Sequence, residues 1–192
     1  MWRLTRWLAS VALLFTAAHT LQAGGDHASL VPWEVLEAGA RVDAALILFW
    51  IPATSEELRR SPLLTSNALT LFSSRCVAMR VVRLDDGARL AALKVNGAVP
   101  LAVLSDGEGN VIGRVDAEDG RLSVTEVEDL VSDELDRRAA EADALLDRAR
   151  ERAEARDDEA AAAIYREVWE ERCLCPRQGR EAGKALRRMG ER

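Results

Sequence analysis

The chain has 192 residues, 48% of them hydrophobic and 30% charged, a globular mixture that excludes a disordered or collagen-like protein. A formal net charge of −6 argues against unspecific nucleic-acid binding. Three Cys and two His are too few for a disulfide-stapled scaffold or a zinc site.

Residues 1–23 have the three-part layout of a secretory signal peptide. Arg3 and Arg6 give a positive start, Leu8 to Ala18 form an apolar run, and the small residue Ala23 precedes Gly24. The run of about 11 residues is short of the roughly 20 that span a bilayer. The expectation is an exported protein, periplasmic or extracellular, with no stable membrane span and with thiols free to oxidise. Leu21 departs from the small residue usual at the third position before a cut, so an uncleaved N-terminal membrane anchor is the alternative.

Residues 24–132 alternate apolar runs with polar or helical stretches. Trp33, Leu36 and Ala40 stand at helical spacing and predict a helix over Trp33 to Arg41. Ala44 to Ile51 is a continuous apolar run of strand length, as a strand buried on both faces requires. Ser55 to Phe72 is helical in pattern, with a break near Ser61 because the residue before Pro62 avoids helical geometry. Cys76 to Leu84 reads as a second strand, closed by Asp85-Asp86-Gly87, and Ala88 to Lys94 as one or two helical turns. Val99 to Leu104 and Val111 to Val115 are strands joined by the turn-rich Ser105 to Asn110, short enough for an antiparallel hairpin. A helix follows from Thr125, capped by Thr125 or Ser123. The order predicts an α/β fold with a mixed four-stranded sheet flanked by helices, its first two strands parallel by the right-handed crossover rule.

Composition changes at residues 133–192, where half the residues are charged, 16 acidic against 14 basic. Val124, Val127, Val131, Leu135, Ala139, Ala142, Leu145, Leu146 and Ala149 step by threes and fours along one helix face. Arg156-Asp157-Asp158 allows a turn, with either Asp as the next cap. Ala161, Ile164, Tyr165, Val168 and Trp169 make a second stripe, Pro176 and Gly179 break the chain, and a short last helix follows. The prediction is a charged helical C-terminal extension folded as a hairpin. Leu145, Ala149, Ala161 and Tyr165 give it a weak similarity to one tetratricopeptide unit, which could not stack into a solenoid alone.

Four features of residues 31–132 carry a family resemblance. Trp33 precedes the first core strand; that strand ends in Phe49-Trp50; a helix and a strand ending at Asp85 follow. Then Leu93 to Leu104, containing Val99-Pro100, leads into the Asp106 to Val115 hairpin. In this order they resemble the thioredoxin-like superfamily, particularly its extracytoplasmic branch with an extra N-terminal helix. The resemblance implies a cis bond before Pro100 and a backbone there that pairs with an extended peptide. It also places the family's C-x-x-C positions on Thr54-Ser55-Glu56-Glu57, where both thiols are missing. Disulfide exchange needs an attacking thiolate and a resolving thiol, so dithiol chemistry at this loop is excluded. The four residues read instead as a helix start, with Thr54 or Ser55 as cap and Glu56 and Glu57 favoured by the macrodipole.

The remaining candidates follow from those positions. Trp50, Thr54, Ser55, Glu56, Glu57, Val99 and Pro100 are the expected lining of a shallow peptide groove, unless the tail helices cover it. Cys76, at the start of a strand, reads as a core thiol. Cys173 and Cys175 can pair with each other or between molecules, and three Cys leave at least one unpaired within a chain. The expected function is non-catalytic binding of a peptide or protein partner, with no cofactor, metal or nucleic acid. The alternative is a thiol–disulfide oxidoreductase using Cys173 and Cys175. A homo-oligomer through the C-terminal helices or a cysteine link stays open as a third arrangement.

Overall fold

The computed structural model describes residues 30–190. The segment 1–23, expected to be a signal peptide, and both histidines, His19 and His27, lie outside them. Five strands form one sheet: β1 (Glu34–Val35), β2 (Leu46–Ile51), β3 (Val77–Val81), β4 (Leu101–Asp106) and β5 (Val111–Asp116). Their spatial order is β1-β3-β2-β4-β5, with β1, β3 and β2 mutually parallel and β4 antiparallel to both β2 and β5. The helices are α1 (Ser55–Arg60), α2 (Asn67–Ser73), α3 (Gly87–Ala92), α4 (Val124–Glu154), α5 (Asp158–Glu170) and α6 (Pro176–Arg188). No helix among the described residues is long and apolar enough to cross a membrane.

Strand β2 is the centre of the sheet, and all six of its residues are buried. Successive side chains of a strand point to opposite faces. Accordingly Leu46, Leu48 and Trp50 join one apolar cluster, while Ile47, Phe49 and Ile51 join another across the sheet. The sheet thus needs cover on both faces, which helices supply.

The helix expected over Trp33 to Arg41 is not formed. In its place is the two-residue strand β1, so the sheet has five strands rather than four. Residues three apart share a face on a helix but take opposite faces of a strand. Trp33 packs on the Trp50 side of the sheet and Leu36 on the Phe49 side. The Leu36 N–H donates to the Val81 carbonyl at 2.9 Å, and Arg80 pairs with Glu34 at 3.2 Å across the register. Each side of the sheet gains one apolar residue from an extended segment, which a helix could not provide.

The break at Pro62 forms as expected. Ser61 is extended at ψ 138°, its N–H closes α1 on the Glu57 carbonyl, and a 3₁₀ turn follows over Pro62–Leu64. The β4–β5 hairpin turns on Asp106, whose Oδ1 accepts the N–H groups of Glu108 and Asn110 at 3.0 and 2.8 Å. With the Asn110 side chain as the main donor, these bonds hold the Asp106 carboxyl below the usual carboxylate range.

Helix α4, capped by Ser123, has 31 residues and is about 46 Å long, more than twice the length of a six-residue strand. Its Val127, Val131 and Leu135 cover the Trp50 face of the sheet. Gly113 of β5 permits this approach: a Cβ there would stand 2.6 Å from Leu130 Cδ1. Farther along, Ala142, Leu146 and Ala149 pack with Ala161, Ala162, Tyr165 and Val168 of α5, which is capped by Asp157. Residue 132, where the composition shifts, lies inside α4. One apolar cluster runs from the sheet through α4 into α5 and α6.

Candidate functional site

Register decides what meets at each end of the sheet. Ile51 pairs with Leu101 and Trp50 with Val81, so the end of β2, the end of β3 and the start of β4 lie together. That end carries Thr54, Pro100 and residues 82–85. Leu46 pairs with Val77 and Asp106 at the opposite end, which carries Cys76. The two ends are about 16 Å apart along β2.

At the first end Thr54 is the N-cap of α1. Its Oγ1 accepts the Glu57 N–H at 3.1 Å, and Glu57 Oε2 accepts the Ala53 N–H at 2.8 Å. Both groups are therefore engaged with backbone, and Glu56 pairs with Arg60 at 2.8 Å. Thr54, Ser55 and Glu56 are exposed and Glu57 half-buried. The Val99–Pro100 bond is cis, with Val99 half-buried and Pro100 buried. Trp50 is fully buried, packed edge-on to Trp33 with ring centroids 5.4 Å apart. It lies beneath the surface instead of forming a groove wall, and its Nε1 has no hydrogen-bond partner.

An open cleft of about 480 Å³ borders the Thr54 loop. Pro52 to Ser55 and Leu58 form one wall, and Val81 to Asp85 with Val35 form the other. It therefore flanks the loop on the β3 side, and Val99 and Pro100 do not line it. Val35 and Leu84 rim it with apolar surface, 47% and 49% exposed. Arg83 grips Asp85 through two hydrogen bonds of 3.1 and 2.9 Å, which lowers the Asp85 carboxyl and raises the Arg83 guanidinium. Both groups are solvent-exposed, so the pair matters as a fixed polar feature of the rim more than as a source of stability. None of Val35, Arg83, Leu84 and Asp85 is a site candidate in the sequence, where Asp85 marks only the end of a strand. The available signal was Leu84, an apolar residue directly before the polar Asp85-Asp86-Gly87 turn.

The cysteines gather at the opposite end. Cys76 is disulfide-bonded to Cys173, with Cα atoms 5.7 Å apart. Cys76 is thus an exposed, bonded residue at φ 61° and not a core thiol. Cys175 is free and buried, and burial pushes its thiol above the ordinary range. A protonated, enclosed thiol is a poor nucleophile. Cys173 and Cys175 therefore do not form a pair, and neither reaches the Thr54 loop. Among the described residues, no group of three or more His, Cys, Asp and Glu side chains is placed to hold a metal ion.

No protein-family model matches the chain, and a search of curated proteins finds no match.

Proposed function

We propose that this protein is an exported, thioredoxin-like binding module that holds a peptide or protein segment at the Thr54 end of its sheet without dithiol chemistry. The observation that carries the reading is the Thr54 loop itself. Its hydroxyl and the Glu57 carboxylate close a helix cap where the family resemblance would put thiols, beside an open cleft. The strand order, with the Thr54 loop and Pro100 at one end of the sheet, supports the family assignment. The Cys76–Cys173 disulfide supports export, because such bonds persist in oxidising compartments. The exposed Val35 and Leu84 beside the Arg83–Asp85 pair offer apolar contact with a polar anchor, the mixture that peptide sites use.

The test is selection of peptides from a random displayed library on the full chain, followed by affinity measurement. Selected peptides are expected to lose most of their affinity for Leu84→Glu. Peptides that bind this variant and Val99→Trp as well as they bind the wild type would overturn the reading. So would insulin reduction by the wild type that disappears on Cys173→Ser.

A further inference from the structure

Helix α6 carries five basic residues, Arg177, Arg180, Lys184, Arg187 and Arg188, against the single acid Glu181, in a chain of net charge −6. Arg180, Lys184 and Arg188 recur every fourth residue, so they share one face of the helix with about 6 Å between neighbours. They line a cleft of about 550 Å³ that also takes in Arg150 of α4, Tyr165 of α5 and Arg177. Two of these cations already have partners: Arg150 bonds Asp147 and Glu181, and Arg177 bonds both Asp143 oxygens at 2.9 Å. Among the described residues Glu181 is the only acid in the lining, and Arg150 holds it. Among the described residues, Arg180, Lys184 and Arg188 have no carboxylate partner.

Tyr165 lines the same cleft and adds a donor to it. Only 6% of the residue is exposed, but its hydroxyl, which makes no hydrogen bond among the described residues, reaches solvent. A ligand oxygen in the cleft would replace water as its acceptor.

We propose that the α4–α5–α6 cleft binds a phosphate-bearing ligand, with Arg180, Lys184 and Arg188 as the charge contacts and the Tyr165 hydroxyl as an added donor. A phosphate group offers three acceptor oxygens and close to two negative charges. Arginine forks and a lysine point charge are the usual way to hold such oxyanions. The cation row spans about 12 Å along the helix, which suits two or more linked phosphates better than one carboxylate. This site is separate from the Thr54 cleft and does not depend on its function.

Calorimetric titration of the full chain with inorganic tripolyphosphate tests the proposal, with phosphatidylglycerol vesicles as a second arm. The wild type is expected to bind, more weakly as salt rises. The double variant Arg180→Glu, Lys184→Glu changes only exposed side chains and is expected to weaken binding by about tenfold or more. Tyr165→Phe should weaken it several-fold with an unchanged melting curve. Tripolyphosphate binding assigns a soluble ligand; vesicle binding alone, lost in the same double variant, assigns a lipid headgroup. Hexaglutamate that binds as tightly as tripolyphosphate overturns the phosphate assignment. No binding in either arm, or full binding by the double variant, overturns the site.

Discussion

Cys173, in the 3₁₀ turn between α5 and α6, is bonded to Cys76, which precedes it by 97 residues and leads into β3. The bond ties the helical extension to the sheet, and Arg75 reinforces it by donating twice to the Leu174 carbonyl, at 3.1 and 2.6 Å. Closing a loop of this length removes much of the unfolded chain's freedom, about 4–5 kcal/mol at most in the chain-entropy account. Dithiothreitol should therefore lower the urea midpoint of the wild type markedly. The double variant Cys76→Ser, Cys173→Ser should start at the lowered midpoint and not respond to reductant. A wild type indifferent to dithiothreitol would show that the bond contributes nothing.

What could be read from the sequence was mostly local. The apolar run ending in Phe49-Trp50, the break at Pro62 and the helix starts act through neighbours within a few residues, so pattern narrows each cap to two candidates. The structure selects Thr54 over Ser55, Ser123 over Thr125 and Asp157 over Asp158. Strand β1 escaped because Trp33 and Leu36 fit a helical face equally well; only pairing with β3 makes them opposite-facing. The disulfide escaped because its partners meet only after the helical hairpin docks. The cleft escaped for a related reason: Val35, Thr54 and Leu84 belong to three segments that converge by sheet register. The family resemblance puts Trp50 in a groove wall, whereas the apolar run around it reads as a strand buried on both faces; the structure follows the run.

Glu134 is a buried carboxylate, 4% exposed, held by Arg137 through two bonds of 2.7 Å and by Arg138 at 2.7 Å. Arg138 also reaches Glu171 at 3.5 Å, linking α4 to the turn that bears Cys173. The Arg137 bonds, helped by Arg138, outweigh burial and hold the Glu134 carboxyl below its ordinary value of 4.5. A depressed folded-state value means the stabilisation is fully present above 4.5 and is lost as pH falls through the lower one. Glu134→Gln should cost about 1–3 kcal/mol at neutral pH and flatten the acid limb of stability against pH. Urea titrations between pH 7 and 3 would show it; parallel curves for the two proteins would contradict the assignment.

Two glycines let α6 approach the end of α5. A Cβ on Gly179 would overlap Arg172 Cβ and stand 2.6 Å from its Cα, whereas one on Gly183 would meet the Trp169 ring at 2.7 and 2.9 Å. Alanine is the better helix former by about 1 kcal/mol, so simple propensity predicts that both substitutions stabilise. Overpacking costs about 1–3 kcal/mol, and backbone cannot yield as a side chain can. Gly179→Ala should therefore lower the melting temperature. Gly183→Ala should change it less, because Trp169 is 37% exposed and has room to turn outward. Two equal shifts in calorimetric melting would show that the contact atoms do not decide the cost.

The absence of thiols from the Thr54 loop can be tested by supplying them. Thr54 is the cap and Glu57 lies in the first turn of α1, so Thr54→Cys with Glu57→Cys places two thiols at the helix start. N–H groups at a helix N-terminus favour a thiolate and make it a better nucleophile at neutral pH. The change also removes the Thr54–Glu57 and Ala53–Glu57 bonds, at a cost of about 1–2 kcal/mol. If the scaffold is that of a thiol–disulfide exchanger, the variant should accelerate insulin reduction by dithiothreitol above the wild-type rate. Thr54→Cys alone should not, for want of a resolving thiol. A folded double variant with accessible thiols and no acceleration would separate this sheet end from the redox family it resembles and leave the binding reading to rest on the cleft alone.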